Sequence, residues 1–193
     1  MLIKTSTLKA SIHCAANKDT RYYLNGVLVK ATGTRLTVVS TNGHALSAFN
    51  DELDDQVTEP IEIIIPIDTI KSAAKDKKPV VSLLKLSDGR WSLGDSIFIP
   101  IDGRYPDYNR VIPKSDKSGD GLHSNIQPQY FTAATKALND YYGTKDDQTG
   151  HHQDNIENAA VFHRGNSRAV VVVMSWRHTD KAPKLPYMGF SGI

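Results

Sequence analysis

Apolar positions along this chain switch between a two-residue and a 3.6-residue period, three times over and in the same order. The first stretch opens with Leu2–Lys4 as a short strand and Ser6 as a helix N-cap. Leu8, Ile12 and Ala15 or Ala16 then recur at helical spacing. Three strands are expected next, at Tyr23–Lys30, Arg35–Ser40 and His44–Phe49, with Gly33 and Gly43 at the turns. The second stretch begins with the β-branched run Ile61–Ile65, ended by Pro66. Ile67 to Lys75 forms a short helix with Ile67, Ile70 and Ala74 inward, and strands follow at Val80–Leu86, Arg90–Leu93 and Ser96–Ile101. The third stretch has a short strand around Leu122–Ile126 and a helix from Pro128, a residue suited to a first helical position. Phe131, Ala134, Leu138 and Tyr141 or Tyr142 give that helix its apolar face, and strands at Asn158–His163 and Arg168–Ser175 complete it.

A strand–helix–strand–strand–strand unit used repeatedly implies an α+β protein, with helices gathered on one face and antiparallel sheets on the other. Residues 1–113 read as two joined units, 114–121 as a polar linker, 122–177 as a single unit and 178–193 as a tail without regular structure. The glycine-bounded segment from Gly143 to Asp154 reads as a long polar loop.

Charge adds little by its sum, a formal +2, and more by its placement. Lys71, Lys75, Lys77 and Lys78 cluster, and Asp51, Glu52, Asp54 and Asp55 make an acidic loop; either patch also suits a solvated face. The single cysteine, Cys14, cannot form an internal disulfide and reads as a small buried residue on a helix, as suits a reducing cytoplasm. No apolar run reaches membrane-spanning length, and no signal-peptide pattern opens the chain, so a cytoplasmic protein is expected.

Three segments carry a family likeness. Arg21-Tyr22-Tyr23-Leu24-Asn25-Gly26-Val27-Leu28, then Val39-Ser40-Thr41-Asn42-Gly43-His44-Ala45-Leu46, then Asp102 to Pro113 resemble, in this order, the middle domain of the bacterial sliding clamps, the beta subunits of DNA polymerase III. The closing Ala169 to Arg177 is similar to the last strand of that family. Residues 1–113 thus look like one complete clamp domain and 122–177 like the second half of another. The resemblance implies the DNA-clamp fold, no enzymatic activity, no cofactor and no metal.

It also implies a pocket for short partner peptides, lined by Leu24, Thr41, Gly43, His44, Leu46, Pro106, Arg110 and Val111. From the last unit it adds Gln127, Tyr130, Val172, Val173, Met174 and Arg177. Ala45 stands where the family usually has arginine, and Ser175-Trp176 where it has proline and methionine, changes that bear on which peptides fit. The implied partners are DNA polymerase or other proteins carrying clamp-binding peptides, double-stranded DNA bound without sequence preference, and further copies of the chain. Arg21, Tyr22, Tyr23, Lys71 and Lys75 are the residues that would meet DNA; strand packing is the alternative for the tyrosines. A monomeric mimic that competes for clamp-binding peptides without encircling DNA is the alternative function.

The residues independently favour such a cleft. Leu, Val and Met rimmed by a few polar groups suit the side chains of a short peptide, although each alone also suits an ordinary core. His151 and His152 beside Asp147 and Asp154 lack the spacing of a structural zinc site. No phosphate-binding loop, nucleophile elbow or zinc-protease helix is present in the sequence. His44 with Asp107 is the remaining acid–base candidate, and in the resemblance both belong to structural or pocket motifs.

Overall fold

The structure is a computed structural model that describes residues 1–112, 126–144, 149–152, 159–164 and 168–175. The expected linker 114–121, residues 122–125 of the expected strand, Arg177 and the tail 178–193 lie outside the described residues. In chain order the elements are β1 (Leu2–Lys4), α1 (Thr5–Ile12), a 3-10 turn (Tyr22–Asn25), β2 (Gly26–Thr41) and β3 (Ala45–Pro66). Then come α2 (Ile67–Ala73), β4 (Val80–Lys85), β5 (Trp91–Leu93), β6 (Ser96–Phe98) and a second 3-10 turn (Tyr108–Arg110). The last are α3 (Pro128–Tyr142), β7 (Gly150–His152), β8 (Ala160–His163) and β9 (Ala169–Val173). They build an α+β fold of two antiparallel sheets, ordered β1-β4-β5-β6 and β2-β3-β9-β8-β7.

The largest departure from the sequence pattern is the fusion of expected strands. Positions 35–40 continue β2, and Ile61–Ile65 closes β3 rather than opening a separate strand. Gly33 explains this: at φ +58 it occupies the left-handed region that a glycine tolerates, and the pairing register shifts on both sides of it. The ribbon therefore bends through a bulge instead of ending in a turn. The acidic stretch falls inside β3, and Asp51 is buried, not part of a solvated loop. Its carboxylate accepts from Lys4 Nζ at 2.8 Å, from the Thr7 hydroxyl at 2.5 Å and from the Tyr141 hydroxyl at 3.2 Å, so β3, α1 and α3 meet on one charge.

Helix boundaries moved for identifiable reasons. α1 starts at Thr5, whose hydroxyl donates to Lys78 O and whose N–H donates to Pro79 O; Ser6 is inside the helix and caps nothing. α2 stops at Ala73, so Lys75 lies past its end and does not share a helical face with Lys71. Cys14 is buried, in the turn just after α1. α3 ends at Gly143, at φ +66, a left-handed cap that relieves the last carbonyls.

Side-chain alternation sorts the strands onto two faces. Val27, Val29 and Val38 of β2 turn inward toward Leu8 of α1 and Ile70 of α2. Ala45 and Phe49 of β3 and Val171 and Val173 of β9 turn inward toward Ala10 of α1 and Leu138 of α3. The intervening Leu28, Val39, Leu46, Ile64 and Val172 emerge on the opposite face, with Leu24 and Tyr105 packed against them. Because Ala45–Phe49 pairs with Ala169–Val173, the third unit extends the first unit's sheet and the outer apolar face is continuous across their seam.

Candidate functional site

The outer face carries a groove of about 650 Å³ at that seam. Its floor is Leu46 and Val172, which the strand alternation aims away from the helices, together with Leu24 from the 3-10 turn. One wall is the segment after β6, contributing Pro106, Tyr108, Arg110 and Val111. The other is the β2–β3 turn with Thr41, Gly43, His44 and Ala45, and Met174, 47% exposed, closes it on the β9 side with Ala159 nearby.

Local hydrogen bonds hold each wall in place. Asn42 Oδ1 accepts from the backbone N–H of both His44 and Ala45, an Asx-turn that fixes the tip of the hairpin. Gly43 sits at φ +87, a left-handed conformation that favours glycine, with the Arg21 guanidinium 2.9 Å from where a Cβ would stand. The Met174 N–H donates to His44 O at 2.8 Å, extending the β3–β9 pairing one residue to the groove's edge. On the far wall, the buried Tyr105 hydroxyl accepts from Thr41 N–H at 3.1 Å, which ties the loop bearing Pro106 to β2. Burial pushes that hydroxyl well above the usual phenol range, so it stays protonated and the anchor is insensitive to pH. Asp107 accepts from Asn109 N–H and pairs with Arg110 Nε at 3.3 Å.

The rim carries two arginines, each paired with a carboxylate. Arg21 pairs with Asp19 at 2.8 Å and donates to Asn42 O at 3.2 Å. The Arg21 side chain holds the Asp19 carboxyl down at about 2. An apolar floor under an arginine-bearing rim can take apolar side chains and orient them by one or two polar contacts.

The structure thus gathers Leu24, Thr41, Gly43, His44, Leu46, Pro106, Arg110, Val111, Val172 and Met174 around one groove. Val173 is a correction: in the two-residue alternation it points into the core beside Phe49, so it cannot line the groove. Gln127 and Tyr130 lie at the entry to α3 and are not part of the wall, although the Tyr130 ring stacks on His44 with centroids 5.5 Å apart. Arg177 lies outside the described residues.

Arg21, expected at a DNA-facing edge, lines the groove. Its nearness to Leu24 is a sequence signal: the 3-10 turn bonds Leu24 N–H to Arg21 O. Tyr108 shares a turn with Arg110 and was reachable the same way, whereas nothing in the sequence marks Ala159. Tyr22 is 59% exposed with its ring edge against Tyr23, and Tyr23 packs on the outer apolar cluster.

Lys71 pairs with Asp68 at 3.7 Å on α2. Lys75, Lys77 and Lys78 instead join Lys4 and Lys9 around a separate trough near the start of α1 and the end of α3. His44 and Asp107 have separate partners, and the candidate ligands Asp147 and Asp154 lie outside the described residues. Among the described residues no three His, Cys, Asp or Glu side chains cluster as a metal site would need, and no helix is long and apolar enough to cross a membrane.

Comparison with known proteins gives the arrangement a context. Residues 3–107 match the family model described as DNA polymerase III beta subunit, central domain. The beta sliding clamp of Salmonella typhimurium is 31% identical over 143 residues, which cover 66% of this chain and 36% of that protein. The beta sliding clamp of Escherichia coli K12 is 28% identical over 151 residues, covering 70% and 38% respectively. The chain therefore spans little more than a third of the length of these relatives. Among solved structures, a DNA polymerase sliding clamp from Pseudomonas aeruginosa superposes with a TM-score of 0.67 at 20% identity, over 92% of this chain and 66% of that one. The beta subunit from the DNA polymerase of Streptococcus pyogenes gives 0.73 at 14% identity, over the same shares.

Proposed function

Because this chain belongs to the DNA polymerase III beta-subunit family, we propose that it is a clamp-like replication protein whose groove holds a short apolar peptide of a DNA polymerase or another partner protein. It acts by binding, without catalysis. The observation that carries the reading is the convergence of Leu24, Leu46, Val172 and Met174, from separate segments, on one apolar floor beneath Arg21 and Arg110. Apolar anchors supply the affinity in such sites, and the few polar groups at the rim set direction and register. Methionine adds tolerance, since its flexible thioether adapts to different side chains.

The test is fluorescence anisotropy with a labelled clamp-binding peptide from a bacterial replicative polymerase. The reading expects saturable binding that is weakened at least tenfold by Met174→Asp, a change at an exposed position that leaves the unfolding midpoint in place. Absence of saturation, or equal affinity in the variant, defeats it.

DNA contact is the second part of the proposal, and the lysine trough supports it. Lys4, Lys9, Lys75, Lys77 and Lys78 gather cationic charge where helix ends meet, and Lys71 lies nearby on α2. Phosphate contacts of this type are sequence-independent, and each lost lysine lowers the salt dependence of binding by roughly one counterion. Lys75→Glu with Lys77→Glu should weaken retention of a random duplex and flatten its salt slope; an unchanged slope removes this face from the DNA contact. Solution mass at low and high salt separates a closed oligomer from a monomeric binder that competes for the same peptides.

A further inference from the structure

β9 delivers the chain directly to the mouth of the groove. The Met174 N–H is fixed to His44 O at 2.8 Å, Met174 lines the cavity, and residues 176–193 follow from that point. Within them, Leu185-Pro186-Tyr187-Met188-Gly189-Phe190 is a run of uncharged residues with four large apolar or aromatic side chains. Pro186 restricts itself and the residue before it toward extended backbone, the form in which short peptides present side chains to a groove. We propose that Leu185–Phe190 is an occupant of the groove in the same chain, competing there with partner peptides. The proposal rests on the reading of the groove as a peptide site.

Reach and chemistry agree with it. Residues 176–184 separate the groove's edge from Leu185, and a tether of about nine residues with coil statistics spans roughly 15–18 Å, enough to turn back on its own origin. Tethering at that length gives an effective concentration on the order of 1 mM. A segment that binds with a dissociation constant near ~0.1 mM when free is then docked about ten times as often as not, and a competing peptide binds about tenfold more weakly.

The groove volume of about 650 Å³ lies within the range of sites that accept a few side chains rather than a folded element. Charge adds little to the docked state. Residues 176–184 carry Arg177, Lys181 and Lys184 with Asp180, and the rim's Arg21 and Arg110 are each already paired with a carboxylate, Asp19 and Asp107. An occupant held mainly by apolar contacts is displaceable by a partner peptide that fills the groove better.

The experiment uses the full chain and its Leu185→Asp/Phe190→Asp variant, with the same labelled polymerase peptide as probe. The expected result is about tenfold tighter probe binding by the variant. A second readout does not depend on the probe. A nitroxide on Gly192→Cys should broaden the Met174 and Leu46 methyl signals in the natural background and leave them sharp in the Leu185→Asp/Phe190→Asp background. Cys14 does not interfere, since it is buried and burial pushes its thiol up to about 12. Equal probe affinity in the two chains overturns the proposal, as does the absence of broadening. Should neither chain bind the probe, the function proposed for the groove fails, and the broadening alone decides where the tail sits.

Discussion

Replacing Asp51 with alanine tests how the third unit is attached to the rest of the chain. The Thr7 hydroxyl is fully buried and donates to this carboxylate at 2.5 Å, a bond that the alanine variant removes. A lost hydrogen bond to a charged group, with its donor left buried, costs about 1.5–3 kcal/mol. Lys4 is half exposed and regains water on losing its 2.8 Å partner, so that ion pair adds only about 0–1 kcal/mol. Tyr141 retains its 2.8 Å bond to Asn50 O and loses little.

The total is about 3 kcal/mol, and for a chain of this size it lowers the thermal midpoint by about 6–12 °C. Asp51→Asn keeps an acceptor for Thr7 and should lose about 1 kcal/mol. Urea unfolding followed by circular dichroism measures both. Equal stability of Asp51→Ala and the parent chain, or a larger loss in the asparagine variant than in the alanine one, refutes the reasoning that this buried charge joins β3, α1 and α3.

Two further outcomes follow from the groove's supports. Tyr105→Phe strands the buried Thr41 N–H and should cost about 1–3 kcal/mol while loosening the wall that carries Pro106, read as a lower urea midpoint with weaker probe binding; unchanged values in both deny the anchor. Arg21→Ala should let the Asp19 carboxyl rise from about 2 toward the ordinary value near ~4, read by NMR titration. Because the folded value is the depressed one, the pair's contribution is present above the unfolded value near ~4 and is lost as pH falls toward 2, so the two proteins should converge in acid.

Much of this architecture was legible in the sequence because the apolar period is strong. Leu8 of α1, Ala134 and Leu138 of α3, the strands at Val80–Lys85 and Ala169–Val173, and most of the groove lining come from positions whose spacing or motif stands out, whereas α1 ends before Ala15 and Ala16 and Phe131 of the expected α3 face is exposed. What escaped has physical causes. Gly33 looks like a turn residue, and only the pairing of both flanks with β3 turns it into a bulge. Asp51 sits in a run of acids that reads as solvated, and its burial depends on Lys4, Thr7 and Tyr141 arriving from distant parts of the chain. Val172 and Val173 are identical in type, and family motifs include both; the alternation of the strand, once its register with β3 is fixed, sends one to the groove and the other to the core.

Backbone amide mapping of the polymerase-derived peptide onto the labelled chain tests the central claim most directly. Shifts should concentrate in Thr41–Leu46, Tyr105–Val111 and Val172–Met174 and saturate together with a single dissociation constant. Shifts confined to the helix-side lysine trough, or scattered without saturation, contradict the account.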